Sequence, residues 1–237
     1  MTMIGFSTGA LARANFDLAL SELENKPVDS VELSALRFPE LLPLLESIPR
    51  LHLARYRYVS IHAPSQFKNN EEQETIDALL RFAPPTWPIV VHPDAISSFA
   101  LWRILGRRIA VENMDRRKLS GRTADELKQI FEELPEARFC FDIGHARQFD
   151  TTMTEAYRIL RQFADRLCQV HISEVNSSSQ HDRLSFSAIL AFEQVSNLIP
   201  KQAPLIIESR VTEQEIDPEI DSAMRAIPRH AQSLMPA

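Results

Sequence analysis

Glycine is scarce in this 237-residue chain, with five copies, and cysteine is scarcer, with two. So few glycines leave little room for the Gly-rich turn that cradles a dinucleotide pyrophosphate, and Gly5 and Gly9, separated by Phe-Ser-Thr, do not fit its spacing. Two cysteines exclude a disulfide framework; Cys140 and Cys168 both lie in apolar, strand-like runs, which fits a reduced, cytoplasmic protein. No apolar stretch approaches the roughly 20 residues that cross a bilayer. Met1 to Leu20 reaches Arg13 and Asp17 without a basic start or a continuous apolar segment, so no secretory signal is expected. Positive charge is also in deficit, 26 basic against 32 acidic residues for a net −6. That argues against a general nucleic-acid binder, although a local basic patch is compatible with an acidic total. No Pro/Gly/Ser linker or low-complexity segment interrupts the chain, and Ser177–Ser179 is a loop signal at most. One domain spanning 1–237 is expected.

What the chain has is alternation. Short β-rich runs occur at Ile4–Ser7, Ser30–Leu33, Tyr58–His62, Ile89–His92, Ile109–Glu112, Phe139–Asp142, Cys168–Ile172 and Leu205–Glu208. Helical patterns follow them at Asn15–Glu24, Phe38–Ser47, Glu71–Phe82, Ser97–Leu105, Ala124–Leu134, Thr151–Phe163, Ser187–Leu198 and Glu213–Ala226. Thr123-Ala-Asp-Glu126 and Asp150-Thr-Thr carry the side-chain oxygens that cap helix starts. Each unit takes about 30 residues, the size of one strand-helix step, and strict alternation implies a parallel sheet covered by helices. Eight units favour a closed (β/α)8 TIM barrel of α/β class over an open sheet, because closure removes both edges.

The polar residues that end the runs are the most informative. Strands three to eight finish in His62, His92, Glu112, Asp142, His171 and Glu208. In a parallel barrel all strand C-termini open on one face, so these six side chains converge. Alternation along each strand then turns Val59 and Ile61, Ile89 and Val91, Ile109 and Val111, Phe139 and Phe141, Cys168 and Val170, and Leu205 and Ile207 outward against the helices. Three carboxylates and three imidazoles cannot share a buried mouth uncompensated; a divalent cation compensates them, and carboxylate oxygen with neutral imidazole suits Zn²⁺, Mn²⁺, Fe²⁺ or Co²⁺. Any one of these residues alone would be an ordinary hydrogen-bonded strand end; the pattern lies in six successive strands.

The segments Ile61-His62-Ala63-Pro64, Val91-His92-Pro93, Val111-Glu112-Asn113-Met114, Phe141-Asp142-Ile143-Gly144-His145 and Val170-His171-Ile172-Ser173, in this order, resemble the xylose isomerase-like TIM barrels. That superfamily holds sugar isomerases and epimerases together with endonuclease IV-type enzymes, and the resemblance runs from Ile4 to Glu208. It implies that Glu112, Asp142, His171 and Glu208 hold one metal, and that His62 and His92 join Glu112 around another in the endonuclease-like branch. A third site there uses positions matching His145 and His181 and an aspartate two residues before the latter, where this chain has Ser179. The family's usual Leu-Gly-x-Gly after that histidine is also absent, replaced by Leu184-Ser185-Phe186. One to three ions of Mn, Zn, Co or Mg are therefore expected.

Two chemistries follow. The first is a metal-dependent isomerase or epimerase of a small sugar, sugar phosphate or polyol, with Glu112 and Glu208 as general base and acid and His145, Arg210 and Glu32 as substrate contacts. The second is an endonuclease IV-like phosphodiesterase acting on abasic DNA; the acidic balance and the short loops speak against it. A barrel that only binds a ligand is the third and weakest reading. A small-molecule partner is expected, with no membrane and with homo-oligomerisation left open. His52 and His230 read as surface residues, and Arg103, Arg107, Arg108, Arg116, Arg117 and Lys118 read as solvated charge and not as one binding face. Asn113, Asp94 and Glu174 have weaker claims on the site.

Overall fold

The computed structural model describes residues 3–68 and 70–228; His230 lies outside them. Eight parallel strands close into a barrel: β1 (Ile4–Ser7), β2 (Ser30–Ser34), β3 (Tyr58–His62), β4 (Ile89–Val91), β5 (Ile109–Glu112), β6 (Arg138–Asp142), β7 (Leu167–Ile172) and, after a two-stranded hairpin of β8 (Glu174–Val175) and β9 (His181–Asp182), β10 (Leu205–Ile207). β10 pairs with both β1 and β7, so no barrel edge is left open. This is the single-domain TIM barrel expected from the alternation. No helix among the described residues is long and apolar enough to cross a membrane.

The residue pattern explains the two layers. Val59, Ile61, Ile89, Val91, Ile109, Val111, Phe139, Phe141, Val170, Ile172, Leu205 and Ile207 face the surrounding helices in one continuous apolar shell. Full burial of such side chains contributes about 1.5–3 kcal/mol each. Inside the barrel the apolar content is small: Val90, Ala110 and Cys140 pack together, and Cys168 packs on them. Cys168 was expected to face the helices. A register irregularity between Phe139 and Cys140, where Phe139 pairs with Leu167 but Cys140 pairs with Gln169, interrupts the alternation locally and turns Cys168 to the interior side. Gly5 has a tight neighbour of its own: a methyl group there would collide with the backbone oxygen of Ser30 on the adjoining strand.

The helices Phe38–Ser47 and Glu71–Phe82 match their expected bounds, and Thr123 caps the helix Ala124–Glu133 by accepting from the Glu126 N–H at 3.2 Å. Other helices differ at their ends. The Ser97–Leu105 pattern becomes a four-residue helix, Phe99–Trp102, continued as a 3-10 helix to Arg108 and broken at Gly106, whose φ is 53°. The helix expected from Thr151 starts at Thr154, with Asp150 accepting from the Glu155 N–H at 2.9 Å. Two short helices that follow strands directly, Thr8–Ala12 and Ile143–Phe149, have no counterpart in the sequence reading.

Candidate metal centre

The mouth at the strand C-termini is built around Glu112, the last residue of β5, which is almost wholly buried. Its two oxygens face different partners. Oε2 lies 3.3 Å from His62 Nε2 and 3.3 Å from His92 Nε2; Oε1 lies 3.3 Å from His145 Nδ1 and 3.3 Å from His171 Nδ1. A carboxylate with one oxygen toward each of two imidazole pairs is arranged to bridge. His171 Nδ1 also lies 3.4 Å from Glu208 Oε2, and His181 Nδ1 lies 3.5 Å from the same oxygen.

Local structure sets these side chains. His62 ends β3, and its Nδ1 donates to the Ala63 carbonyl at 2.7 Å, which leaves the Nε2 lone pair toward Glu112. Asp142 ends β6 and caps the next helix, Oδ1 accepting from the His145 N–H at 2.7 Å; that turn of helix is why a histidine three residues past the strand returns to the mouth. Asn113 fixes the Asp142 backbone from the neighbouring strand, donating to its carbonyl and accepting from its N–H, each at 2.8 Å. His181 arrives on the β8–β9 hairpin, where Asn176 Oδ1 accepts from the N–H groups of Ser178 and Gln180, Ser179 adopts a left-handed φ of 57°, and the Arg117 guanidinium donates to the Ser178 carbonyl.

Three ligand groups result: His62, His92 and Glu112; Glu112, Asp142, His171 and Glu208; and Asp142, His145 and His181. Within each, one ligand atom per residue lies within 4.8 Å of the others. Glu112 belongs to the first and second, Asp142 to the second and third. The third group thus draws on Asp142 where the family pattern has the aspartate replaced here by Ser179; the Ser179 hydroxyl borders the cavity without a hydrogen-bond partner.

The donor set fits divalent cations. Asp142, a member of two of the three groups, has its Oδ2 buried without a hydrogen bond, with the His145 Nδ1 beside it at 3.4 Å. His92 Nδ1 is likewise buried without a partner. The electrostatics show the same crowding. Burial, with Glu112 and Glu208 nearby, raises Asp142 to about 7 against the pull of His145. Burial opposes protonation of His145, but Asp142 and Glu112 outweigh it and bring the imidazole to about 10. Burial likewise opposes ionisation of Glu208, yet His171 and His181 hold it down at about 2. Burial lowers His181 to about 4, aided by the neighbouring His145. Titrating groups displaced in opposite directions in one cleft mark a site where charge must be managed.

The cluster opens on a cavity of about 250 Å³ lined by the histidines, Glu112 and Glu208, the hydroxyls of Ser7, Ser65 and Ser179, and Asp115, Lys118 and Arg210. His62, His92, His145, His181, Glu112, Glu208 and Arg210 therefore meet there, and Asp142 and His171 complete the ligand groups from beneath. Arg210 is exposed at the lip, its guanidinium without hydrogen bond or ion pair among the described residues. Glu32 does not line the cavity: it is fully buried inside the barrel below the mouth. Of the basic cluster read as solvated charge, Lys118 reaches the cavity wall, 3.0 Å from Asp94, while Arg103 pairs with Glu133 at 2.6 Å and Arg116 donates to the Phe149 carbonyl. Asp115 gave no sequence signal and Lys118 only that of solvated charge, because both sit past the end of β5 in a loop whose path no periodicity fixes. Glu174 pairs with Arg147 at 2.9 Å outside the cavity, and His52 is exposed.

No family model matches the chain, and no curated protein matches it. Solved structures do. IolI, in a crystal structure with a bound zinc atom, superposes with a TM-score of 0.66 at 14% identity, covering 98% of this chain and all of that one. A xylose isomerase domain protein from Alicyclobacillus acidocaldarius superposes with a TM-score of 0.60 at 12% identity, covering 94% and 99%. A protein from Anabaena variabilis described as a sugar phosphate isomerase/epimerase gives 0.50 at 13%, covering 100% and 92%. The shared feature is the fold: the chain is a TIM barrel.

Proposed function

We propose that the protein is a divalent-metal-dependent isomerase or epimerase of a small sugar, sugar phosphate or related polyol. The observation that carries this reading is the convergence of two carboxylates, Glu112 and Glu208, on His171 Nδ1, at 3.3 and 3.4 Å, with both lining a cavity of small-molecule size. Glu112, Asp142, His171 and Glu208 would hold the principal ion, of the class Zn²⁺, Mn²⁺, Co²⁺ or Mg²⁺. When bound, that ion would polarise a carbonyl and its neighbouring hydroxyl and so favour loss of the proton on the hydroxyl-bearing carbon.

The chain's own residues supply the rest. Glu208, held ionised, and Glu112 both line the cavity, and these two carboxylates remove and return the proton as base and acid. Arg210 at the lip anchors an anionic or hydroxyl group of the substrate, and Lys118 adds positive charge on the wall. The likeness to solved sugar isomerase-like structures supports the same reading.

A second reading, endonuclease IV-like phosphodiester cleavage, is favoured by one observation: the His62–His92–Glu112 group provides for an additional ion beside the principal one. The cavity's size speaks for a compact substrate and against a nucleic-acid duplex. Incubation of the metal-loaded protein with a panel of ketoses, aldoses and their phosphates in deuterium oxide separates the two. Deuterium entering a sugar C–H bond, lost in Glu208→Gln, is the expected outcome; salt-sensitive nicking of abasic duplex without deuterium uptake overturns the proposal.

A further inference from the structure

Beneath the metal centre, the barrel interior holds a buried polar cluster that takes no part in lining the cavity. Glu32 projects from β2 and is fully buried. Its Oε2 receives three contacts: Ser60 Oγ donates at 3.0 Å, Gln169 Nε2 donates at 2.7 Å, and His171 Nε2 lies 3.1 Å away. Gln169 is itself held from below by the Tyr58 hydroxyl, which donates to its Oε1 at 2.7 Å. The strand register explains the depth: Glu32 pairs with Ser60, two residues below His62, while Ser34 is the residue level with His62.

The chemistry of the imidazole gives this cluster a direction. His171 presents Nδ1 to Glu112 and Glu208, so a ligand role requires a lone pair on Nδ1 and hence the proton on Nε2. A buried N–H needs an acceptor, and Glu32 Oε2 is placed to receive it. Gln169 Nε2 carries two hydrogens: one goes to that same carboxylate oxygen at 2.7 Å, and the other meets His171 Nε2 at 2.8 Å when that nitrogen is bare. Gln169 and Glu32 thus compete for Nε2, and only the carboxylate can accept its proton. Because Gln169 Oε1 is committed to Tyr58, the amide cannot turn its oxygen to His171 without losing that bond.

We infer that Glu32 is a positioning residue: it holds His171 in the Nε2–H form and fixes the ring so that Nδ1, and not Nε2, faces Glu112, Asp142 and Glu208. The inference rests on the proposed metal-binding role of that group. Carboxylates that hold the remote nitrogen of a ligand histidine typically add 10- to 100-fold to metal affinity. Ser60 and Gln169 keep the Glu32 carboxylate pointed upward, and Tyr58 keeps Gln169 in its donor orientation.

The test is zinc binding by chelator competition and ¹⁵N-histidine NMR on wild type, Glu32→Gln, Glu32→Leu and Tyr58→Phe, with folding followed by circular dichroism. The expected result is that wild type binds zinc with a His171 Nε2–H resonance protected from exchange. Glu32→Gln, close to isosteric, weakens one zinc per chain by roughly 10- to 100-fold and exposes that proton to exchange, and Glu32→Leu weakens it at least as much if it folds. Tyr58→Phe, which leaves the carboxylate in place, shifts zinc affinity by less than about threefold. Folded Glu32→Gln with wild-type zinc affinity and an unchanged His171 signal overturns the inference while leaving the metal centre intact. Failure of wild type itself to bind zinc, manganese or cobalt overturns the metal reading and this inference with it.

Discussion

The two ends of the barrel carry cavities of opposite character. The larger, about 630 Å³, lies at the strand N-termini among Met3, Tyr58, Arg107, Arg138, Arg166 and Gln202. Its cations are largely committed to the fold: Arg138 Nε donates to the Arg107 carbonyl at 2.7 Å, and Arg166 donates to the carbonyls of Pro135 and Ala137 at 2.8 and 2.9 Å. The smaller cavity, about 250 Å³, lies at the strand C-termini, and its groups face one another with Asp142 Oδ2 and His92 Nδ1 left without a hydrogen bond. Size therefore does not mark the functional end; unsatisfied, convergent ligand atoms do. The barrel geometry supplies the reason, since side chains at the C-terminal ends of all strands, with the loops that follow, point into one mouth.

The sharpest way to break this contrast is to remove what the smaller cavity is built to hold. Dialysis against a chelator is expected to lower the melting temperature by roughly 5–10 °C, because an ion present at 100 times its dissociation constant adds about 2.7 kcal/mol to a protein of this size. Asp142→Asn, which keeps the helix cap but takes a charge from two ligand groups, should abolish most of that shift, as read by scanning calorimetry with and without zinc. A smaller effect is expected at the lip: Arg210→Ala should raise KM for an anionic substrate by roughly 10- to 100-fold, the value of a hydrogen bond to a charged group, with kcat nearly unchanged. The smallest belongs to the other end, where Arg138→Ala should cost about 1 kcal/mol of stability and leave both zinc affinity and turnover alone. A loss of turnover in Arg138→Ala would reverse the assignment of the two ends.

Carboxylates outside the mouth sharpen the same point. Glu72 is buried yet fully engaged, accepting from the Ser97 N–H at 2.9 Å, the Ser98 N–H at 3.3 Å and the Trp102 indole at 2.8 Å. Glu219 accepts from the Leu184 N–H at 2.9 Å and the Ser209 hydroxyl at 2.6 Å. Their donors are mostly backbone N–H and hydroxyl groups, which tie loops to helices; the donors around Glu112 are imidazoles, which can exchange a proton for a cation.

The six strand-ending residues were legible in the sequence because a strand alternates strictly and each run ended in one polar side chain after an apolar pair. Arg210 was legible for the same reason, two residues past Glu208. Glu32 was not placed by that logic. Expected as a substrate contact, it is the middle residue of β2, and the register of β2 against β3 seats it beside Ser60, below the mouth.

Local pattern, then, determined the barrel, the inward parity of most strands and the kinds of ligand atoms at its mouth, since these follow from alternation within a few residues. Tertiary structure alone decided the depth of Glu32, the inward turn of Cys168 at the irregularity between β6 and β7, the pairing of Asp142 with His145 through a one-turn cap, and the delivery of His181 by a hairpin. Each of these depends on the offset between neighbouring strands or on a loop's return path, and a chain segment carries no record of how far its neighbour is shifted until both are hydrogen-bonded.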